Sequence, residues 1–462
     1  MPTPSVRESA LMKSKRRLSR RNVLKTGAAL LAAEMGRLKT APTVVEAQQA
    51  PAVLTGTQTG RTFRGLVRHG TTIDVQELRL RPIDPRQVVI RSLAVAPCYT
   101  IVRGALSTTP ARRAEVPNHC GFGVVEAVGA LVKRVQVGDR VVVAGTSQCG
   151  QCYQCLHGNP DFCQFTFFSN TDGAAPFAPF AEMRDGTPVD AQAGIGGMSE
   201  VMTAFEEYCV PVFTDLPAAE LTLLGDQLAS GFAAGHARMQ FEPGSDVVVF
   251  GAGPVGLGAI QAGRVTGAGQ VIAIDPIRYR REFAMKIGAT STLDPNVEGD
   301  GIVERVRELC QGPNDRRFAG GTTYGRAGNA VMARGADFVV EAAGLQAFPP
   351  KVEAQPDPTN VKTVQQAWDC TRMGGHVMLM GFTLQPVPFP GASLALLGRT
   401  IHPGQQGGLH VMRDLPRYVK LIEKGKIDAK SMITRRYTLD QGRQAIQDTA
   451  DRTIITGVIE FS

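Results

Sequence analysis

A chain of 462 residues is too long for one ordinary hydrophobic core, so two or three domains are expected. With 43% hydrophobic and 20% charged residues it has a globular composition, and no run approaches the roughly 20 apolar residues of a membrane-spanning helix. The formal net charge of +8 sits at one end: residues 1–47 hold ten Lys or Arg against three Asp or Glu, so the remainder is near neutral and nucleic-acid binding loses its main support.

That basic leader reads as a targeting segment. Ser19-Arg20-Arg21-Asn22-Val23-Leu24-Lys25 resembles a twin-arginine export motif; a mildly apolar run from Thr26 to Ala33 follows, and Val45-Glu46-Ala47 suits cleavage. The expectation is a signal peptide over 1–47, a partner in the twin-arginine export machinery, and a periplasmic or other extracytoplasmic location, or the cytoplasm if the leader is unused.

Pro51 to Thr59 is a low-complexity linker, after which residues 61–95 show short β-rich runs ending in Val88 to Leu93. Gly123 to Val128 and Arg140 to Val143 continue the all-β pattern, with Gly129 and Gly138-Asp139 as turns. From about Asp226 the texture alternates. Asp246 to Phe250 reads as a buried strand, Val255 to Val265 as a helix, Val271 to Ile274 as a strand and Arg280 to Ile287 as a helix. Asp337 to Val340 and His376 to Met380 read as later strands, which argues for a parallel sheet covered on both faces. Two stretches, about 165–200 and 312–334, look like insertions, and 409–462 reads as helix, strand, helix, strand.

Cys149, Cys152, Cys155 and Cys163 form a C-x2-C-x2-C-x7-C cluster. Closely spaced thiolates on a tight loop supply the four soft donors that tetrahedral zinc requires, with Gly150 and Gly158 providing turns. Disulfides are the rival in an exported protein, but C-x2-C neighbours are poorly placed to bridge one another. A closed four-thiolate site leaves no position for substrate, so its expected role is stability.

Gly251-Ala252-Gly253-Pro254-Val255-Gly256 directly follows a strand and opens a helix, the arrangement that brings backbone against a pyrophosphate at a helix N-terminus. Asp275 ends the next strand, where a carboxylate can bind ribose hydroxyls and would repel a 2′-phosphate, so NAD is expected rather than NADP. The competing reading of Asp275 is a turn residue before Pro276.

Taken together, these motifs resemble the zinc-dependent medium-chain alcohol dehydrogenases. The resemblance runs from about 60 to 462 outside the two insertions, and it includes the phrases Val88 to Thr100 and Asn118 to Gly129. It implies an α/β plus all-β chain, a Rossmann doubly wound parallel sheet beside a GroES-like β-rich catalytic domain. The expected boundaries are 53–226 for the catalytic domain with its zinc lobe at 149–163, 227–408 for the NAD-binding domain, and 409–462 for a return to the catalytic domain. The family's catalytic zinc positions fall on Cys98, His119 and Asp226, the last replacing a more usual cysteine, as in the formaldehyde dehydrogenase and dismutase branch. Thiolate, imidazole and carboxylate balance Zn²⁺ in charge as two thiolates and an imidazole do. Thr100 matches the family's proton-passing hydroxyl, and Ser230 and Val255 match positions beside the nicotinamide. Two zinc ions per chain, NAD(H), a small alcohol or aldehyde substrate and a homo-oligomer are thereby implied.

Three departures from the family pattern stand out. Ile101 occupies the place of the acidic partner of the zinc histidine, Cys120 stands where a glutamate usually follows that histidine, and Arg103 replaces a relay histidine. Arg stays protonated at working pH and cannot shuttle a proton. Cys120 is a candidate fourth donor that would close the site, the basis of an alternative reading as a catalytically silent, zinc-stabilised binding protein. Taken singly, Cys98 also fits a core thiol, His119 a turn residue and Asp226 a helix cap.

Overall fold

The computed structural model describes residues 58–167, 177–311 and 334–462. The leader with its twin-arginine-like motif, part of 165–200 and nearly all of 312–334 lie outside the described residues.

The first half is largely antiparallel. Its strands are β1 (Thr62–His69), β2 (Thr72–Leu80), β3 (Gln87–Val95), β4 (Ala114–Val116), β5 (Gly121–Val128), β6 (Arg140–Val143), β7 (Ala181–Met183), β8 (Pro188–Ala191), β9 (Val201–Phe205) and β10 (Cys209–Pro211). A closed barrel runs β1-β2-β7-β8-β4, and β3 is central to a second sheet in which β5 and β9 both pair with it. In β3, Val89 faces the barrel core while Val88 and Ile90 face a separate core with Val125, Val141 and Met202. Burial on both faces explains a continuous apolar run where a one-sided strand would alternate. The expected insertion at 165–200 needs correction, because β7 and β8 close the barrel through Leu78↔Met183 and Ala114↔Val189. Strands of three and four residues are too short for periodicity to register, and their pairing is set by distant partners.

The second half is a six-stranded parallel sheet of β11 (Asp246–Phe250), β12 (Gln270–Ile274), β13 (Ser291–Leu293), β14 (Ala336–Glu341), β15 (Thr371–Leu379) and β16 (Thr400–Pro403), ordered β13-β12-β11-β14-β15-β16. Val247, Val249, Val271 and Ala273 enter one core and Val248, Phe250, Ile272 and Ile274 the other, so both sheet faces are covered. This is the expected doubly wound architecture beside a β-rich unit. After the helix Val411–Glu423 come β17 (Ile433–Tyr437), the helix Gly442–Ala450 and β18 (Thr456–Glu460). β18 pairs with β3 at Ile459↔Val95, bracing the strand whose exit carries Pro97 and Cys98.

Candidate active site

Cys98 leaves β3 and precedes the helix Tyr99–Ala105, while His119 lies two residues before the start of β5. Because β3 and β5 are antiparallel neighbours paired at Ala94↔Phe122, the two side chains emerge at the same sheet end. Asp226 lies between the 3-10 turn Thr222–Gly225 and the helix Gln227–Ala233. Its side chain makes no capping bond to that helix, which removes the cap reading. Gln227 Nε2 donates to Pro97 O at 2.7 Å, tying this helix start to the Cys98 loop, and Gly145 N, just after β6 and packed against the His119 ring, donates to Gly225 O at 2.7 Å.

The donor atoms of Cys98, His119 and Asp226 all lie within 4.8 Å of one another. His119 Nε2 is 3.2 Å from Asp226 Oδ2. Bonds of about 2.0–2.3 Å at tetrahedral angles set donor separations of roughly 3.3–3.8 Å, so the cluster has the size a zinc ion requires. Its electrostatics agree. Burial opposes charge on the His119 ring, yet the bonds to Asp226 and Cys98 outweigh it and push the ring up to about 10. Burial likewise opposes ionisation of Asp226, yet His119 holds that carboxyl down at about 2. Burial and the Asp226 charge push the Cys98 thiol up. A proton on His119 thus pairs with the Asp226 carboxylate across the 3.2 Å contact, in the place where a cation would sit among the three donors.

Cys120 is not among the converging donors. Burial, with Asp226 and Cys98 nearby, drives its thiol well up, and Asn118 Nδ2 donates to its sulfur at 3.5 Å. Thr100 Oγ1 donates to Cys98 Sγ at 3.2 Å. Ile101 is buried and apolar, so it offers the His119 ring no acceptor, and Arg103 is exposed at the cleft wall.

Two residues here escaped sequence reasoning. Asn118 has a left-handed φ of 78°, and its side chain accepts from Cys98 N at 3.3 Å while donating to Ala96 O and Cys120 O at 3.2 and 3.1 Å. It staples the two ligand loops together; an Asn beside a metal-type His in a turn was the available signal. Gln406 reaches Asp226 from the loop after β16, with Nε2 donating to Oδ1 at 3.0 Å. The glycines around it, at 404, 407 and 408, signalled only a tight turn.

The four lobe sulfurs likewise lie within 4.8 Å of one another, and all four cysteines are free of disulfides. Cys149 and Cys155 sulfurs are 4.0 Å apart, and the N–H groups of Cys152, Cys149, Cys155 and Gln164 point at lobe sulfurs from 3.3–3.5 Å. The N–H groups of Cys155 and Gln164 outweigh burial at Cys152 and bring its thiol down to about 6, favouring the thiolate that binds metal. A buried ion pair joins the lobe to the Asp226 helix region: Arg238 Nη2 donates to both oxygens of Asp161 at 2.7 Å.

A cleft of about 1010 Å³ runs from Cys98, Thr100, His119 and Asp226 past Ser230 and Val255 to Gly251, Gly253, Pro254 and Asp275. Gly251 turns β11 into the helix Pro254–Thr266 with φ 88°, and a Cβ there would meet Ala343 N at 2.7 Å. A Cβ on Gly256 would lie 1.7 Å from Gly251 O, so the helix packs this closely only with glycine. Asp275 is 3% exposed; Oδ2 accepts from Ala252 N at 2.7 Å and Oδ1 from Ile277 N at 2.8 Å. Turn residue and ribose acceptor are thus compatible, because each carboxylate oxygen keeps a second lone pair.

Comparison with known proteins joins these features. Residues 84–214 match the alcohol dehydrogenase GroES-like domain and 254–424 the zinc-binding dehydrogenase domain. Geraniol dehydrogenase of Castellaniella defragrans is 30% identical over 399 residues, covering 85% of this chain and 95% of that protein. The chain belongs to the zinc-dependent alcohol dehydrogenase family. The NDMA-dependent alcohol dehydrogenase of Amycolatopsis methanolica is 28% identical over 85% of this chain and 96% of its own length. The solved benzyl alcohol dehydrogenase of Acinetobacter calcoaceticus superposes with a TM-score of 0.71 at 25% identity, covering 87% of this chain and all of that one. In this member of the family, then, a three-donor cluster and the glycine loop share one cleft, and the four-cysteine lobe stands apart with its donors turned on each other.

Proposed function

We propose that this oxidoreductase passes a hydride between a small alcohol or aldehyde and NAD, with a catalytic zinc at Cys98, His119 and Asp226 and a structural zinc at the four lobe cysteines. The convergence of those three donors on the cleft that also holds Gly251 and Asp275 carries the reading. Zinc held there supplies Lewis acidity that eases loss of the substrate's hydroxyl proton.

The chain's own residues do the rest. With zinc bound, Cys98 and Asp226 would bring two negative charges from buried positions, and His119, half-buried beside them, would complete the set as neutral imidazole. Thr100 Oγ1, beside the Cys98 sulfur, receives the departing proton and hands it to water. Arg103 cannot accept it, so the relay is short. Gly251 and Gly253 would let backbone meet a pyrophosphate at the start of Pro254–Thr266, and Ser230 and Val255, which line the same cleft, would hold the nicotinamide end. Asp275 would accept from the adenosine ribose hydroxyls and repel a 2′-phosphate, favouring NAD.

The twin-arginine-like leader adds an export route, and export to a compartment poor in free NAD favours a cofactor loaded before export and kept bound while two substrates are turned over in alternation. Native mass spectrometry of the purified chain, with metal content and nicotinamide reduction measured on the same sample across an alcohol panel, tests the proposal. Two zinc ions and one NAD per active chain are expected. A single zinc, held by the lobe, with no hydride transfer to NAD would overturn it, and a cofactor-free active enzyme would remove the retention step.

A further inference from the structure

The loop after β16 enters the metal-donor cluster from the parallel-sheet side. Gln405–Gly408 is a short turn in which Gln406 itself has φ 45° and Gly407 φ 64°. A Cβ on Gly407 would come within 2.2 Å of Ser230 O, so the loop lies directly on the helix that Asp226 begins. A non-glycine residue in the left-handed region is held there by its surroundings, and here those surroundings are polar contacts of its own side chain. Gln406 Nε2 donates to Asp226 Oδ1 at 3.0 Å, and Ser230 Oγ is 2.7 Å from Gln406 Oε1. The chemistry fixes which way the amide points. An ionised carboxylate only accepts, so the NH2 group must face Asp226, and the amide oxygen lies toward the Ser230 hydroxyl, whose single proton it shares with Asp226 O at 2.6 Å.

The two oxygens of Asp226 are consequently unequal. Oδ1 is engaged by Gln406, with Ser230 Oγ at 3.3 Å, while Oδ2 faces the His119 ring at 3.2 Å. We propose that Gln406 is a positioning residue for the metal-binding carboxylate: it holds Oδ1 away from the donor cluster so that Asp226 binds metal through Oδ2 alone and one coordination place stays open toward the cleft. The proposal rests on the reading of Cys98, His119 and Asp226 as zinc donors. It also gives this chain an outer partner for its unusual aspartate ligand, in a site where Ile101 and Cys120 supply no carboxylate. Such partners set metal affinity and ligand orientation.

The test uses the full chain with cobalt exchanged for zinc, comparing wild type with Gln406→Met, which keeps volume and removes the donor, and Gln406→Glu, which sets a carboxylate against Asp226. Both variants are expected to release the cluster's ion at about 10- to 100-fold lower chelator concentration while the lobe keeps its own ion. Their cobalt visible bands are expected to weaken as the freed Oδ1 joins the metal and raises its coordination number. Gln406→Asn, which keeps the amide but shortens its reach to Oδ1, is expected to shift both readouts the same way by less, and it carries the test if the other two variants fail to fold. Variants matching wild type in spectrum and chelator resistance overturn the positioning role alone. Wild-type protein that binds cobalt only in the lobe overturns the cluster reading and this proposal together.

Discussion

The two cysteine-bearing centres of this chain are built in opposite ways. The lobe draws four donors from fifteen consecutive residues, and local backbone N–H groups hold its sulfurs. The cleft cluster draws three donors from positions spread over more than a hundred residues, and it is assembled by side chains that are not donors themselves: Asn118, Gln227 and Gln406. A centre made of one loop can close around its metal and serve stability. A centre assembled by the fold can leave a direction open, because no single loop has to wrap the ion.

Four changes probe that contrast. Asp226→Asn removes a charge and a donor from the cluster but leaves the lobe intact. The expected loss is at least about a thousandfold in kcat/KM, ~4 kcal/mol, with one metal ion fewer per chain by elemental analysis and little change in far-UV circular dichroism. Cys155→Ser should do the reverse, lowering the melting temperature by about 10 °C while the folded fraction keeps its kcat near wild type. Equal activity losses in the two variants would erase the distinction between centres.

The Arg238–Asp161 pair is where the centres meet. Asp161 is fully buried and burial pushes its carboxyl up against the opposing pull of Arg238, so Arg238→Ala leaves an unpaired buried acid and should cost about 3 kcal/mol in denaturant unfolding. If the lobe steadies the Asp226 helix, kcat should fall as well; unchanged kcat would make the two centres independent. The smallest effect is expected at the far end of the cleft. Asp275→Ser should cut the NAD over NADP preference in kcat/KM by roughly 10- to 100-fold, about 1.4–2.7 kcal/mol, measured with the two coenzymes side by side.

What could be read early follows the same contrast. The lobe, the glycine loop and the alternation of strand and helix are local patterns, visible because spacing along the chain and spacing in space nearly coincide there. β7 and β8 looked like insertion because three- and four-residue strands carry no periodicity of their own, and the pairing that defines them comes from Leu78 and Ala114. Gln406 carried no residue-type signal at all: a glutamine in a glycine-rich turn is ordinary until the helix begun by Asp226 is laid against it.

The amino-acid order alone determined which groups were available: four clustered thiols, a glycine turn after a buried strand, an aspartate closing the next one, and a Cys, a His and an Asp at spacings that resemble one enzyme family. Only the tertiary structure decided that the Cys120 sulfur stays outside the donor set, that Asn118 staples two loops, and that Gln406 divides the oxygens of Asp226 between holding and binding. Hydrogen bonds and donor distances depend on ångström-scale placement across sheets, helices and loops, and that placement is a property of the packed whole.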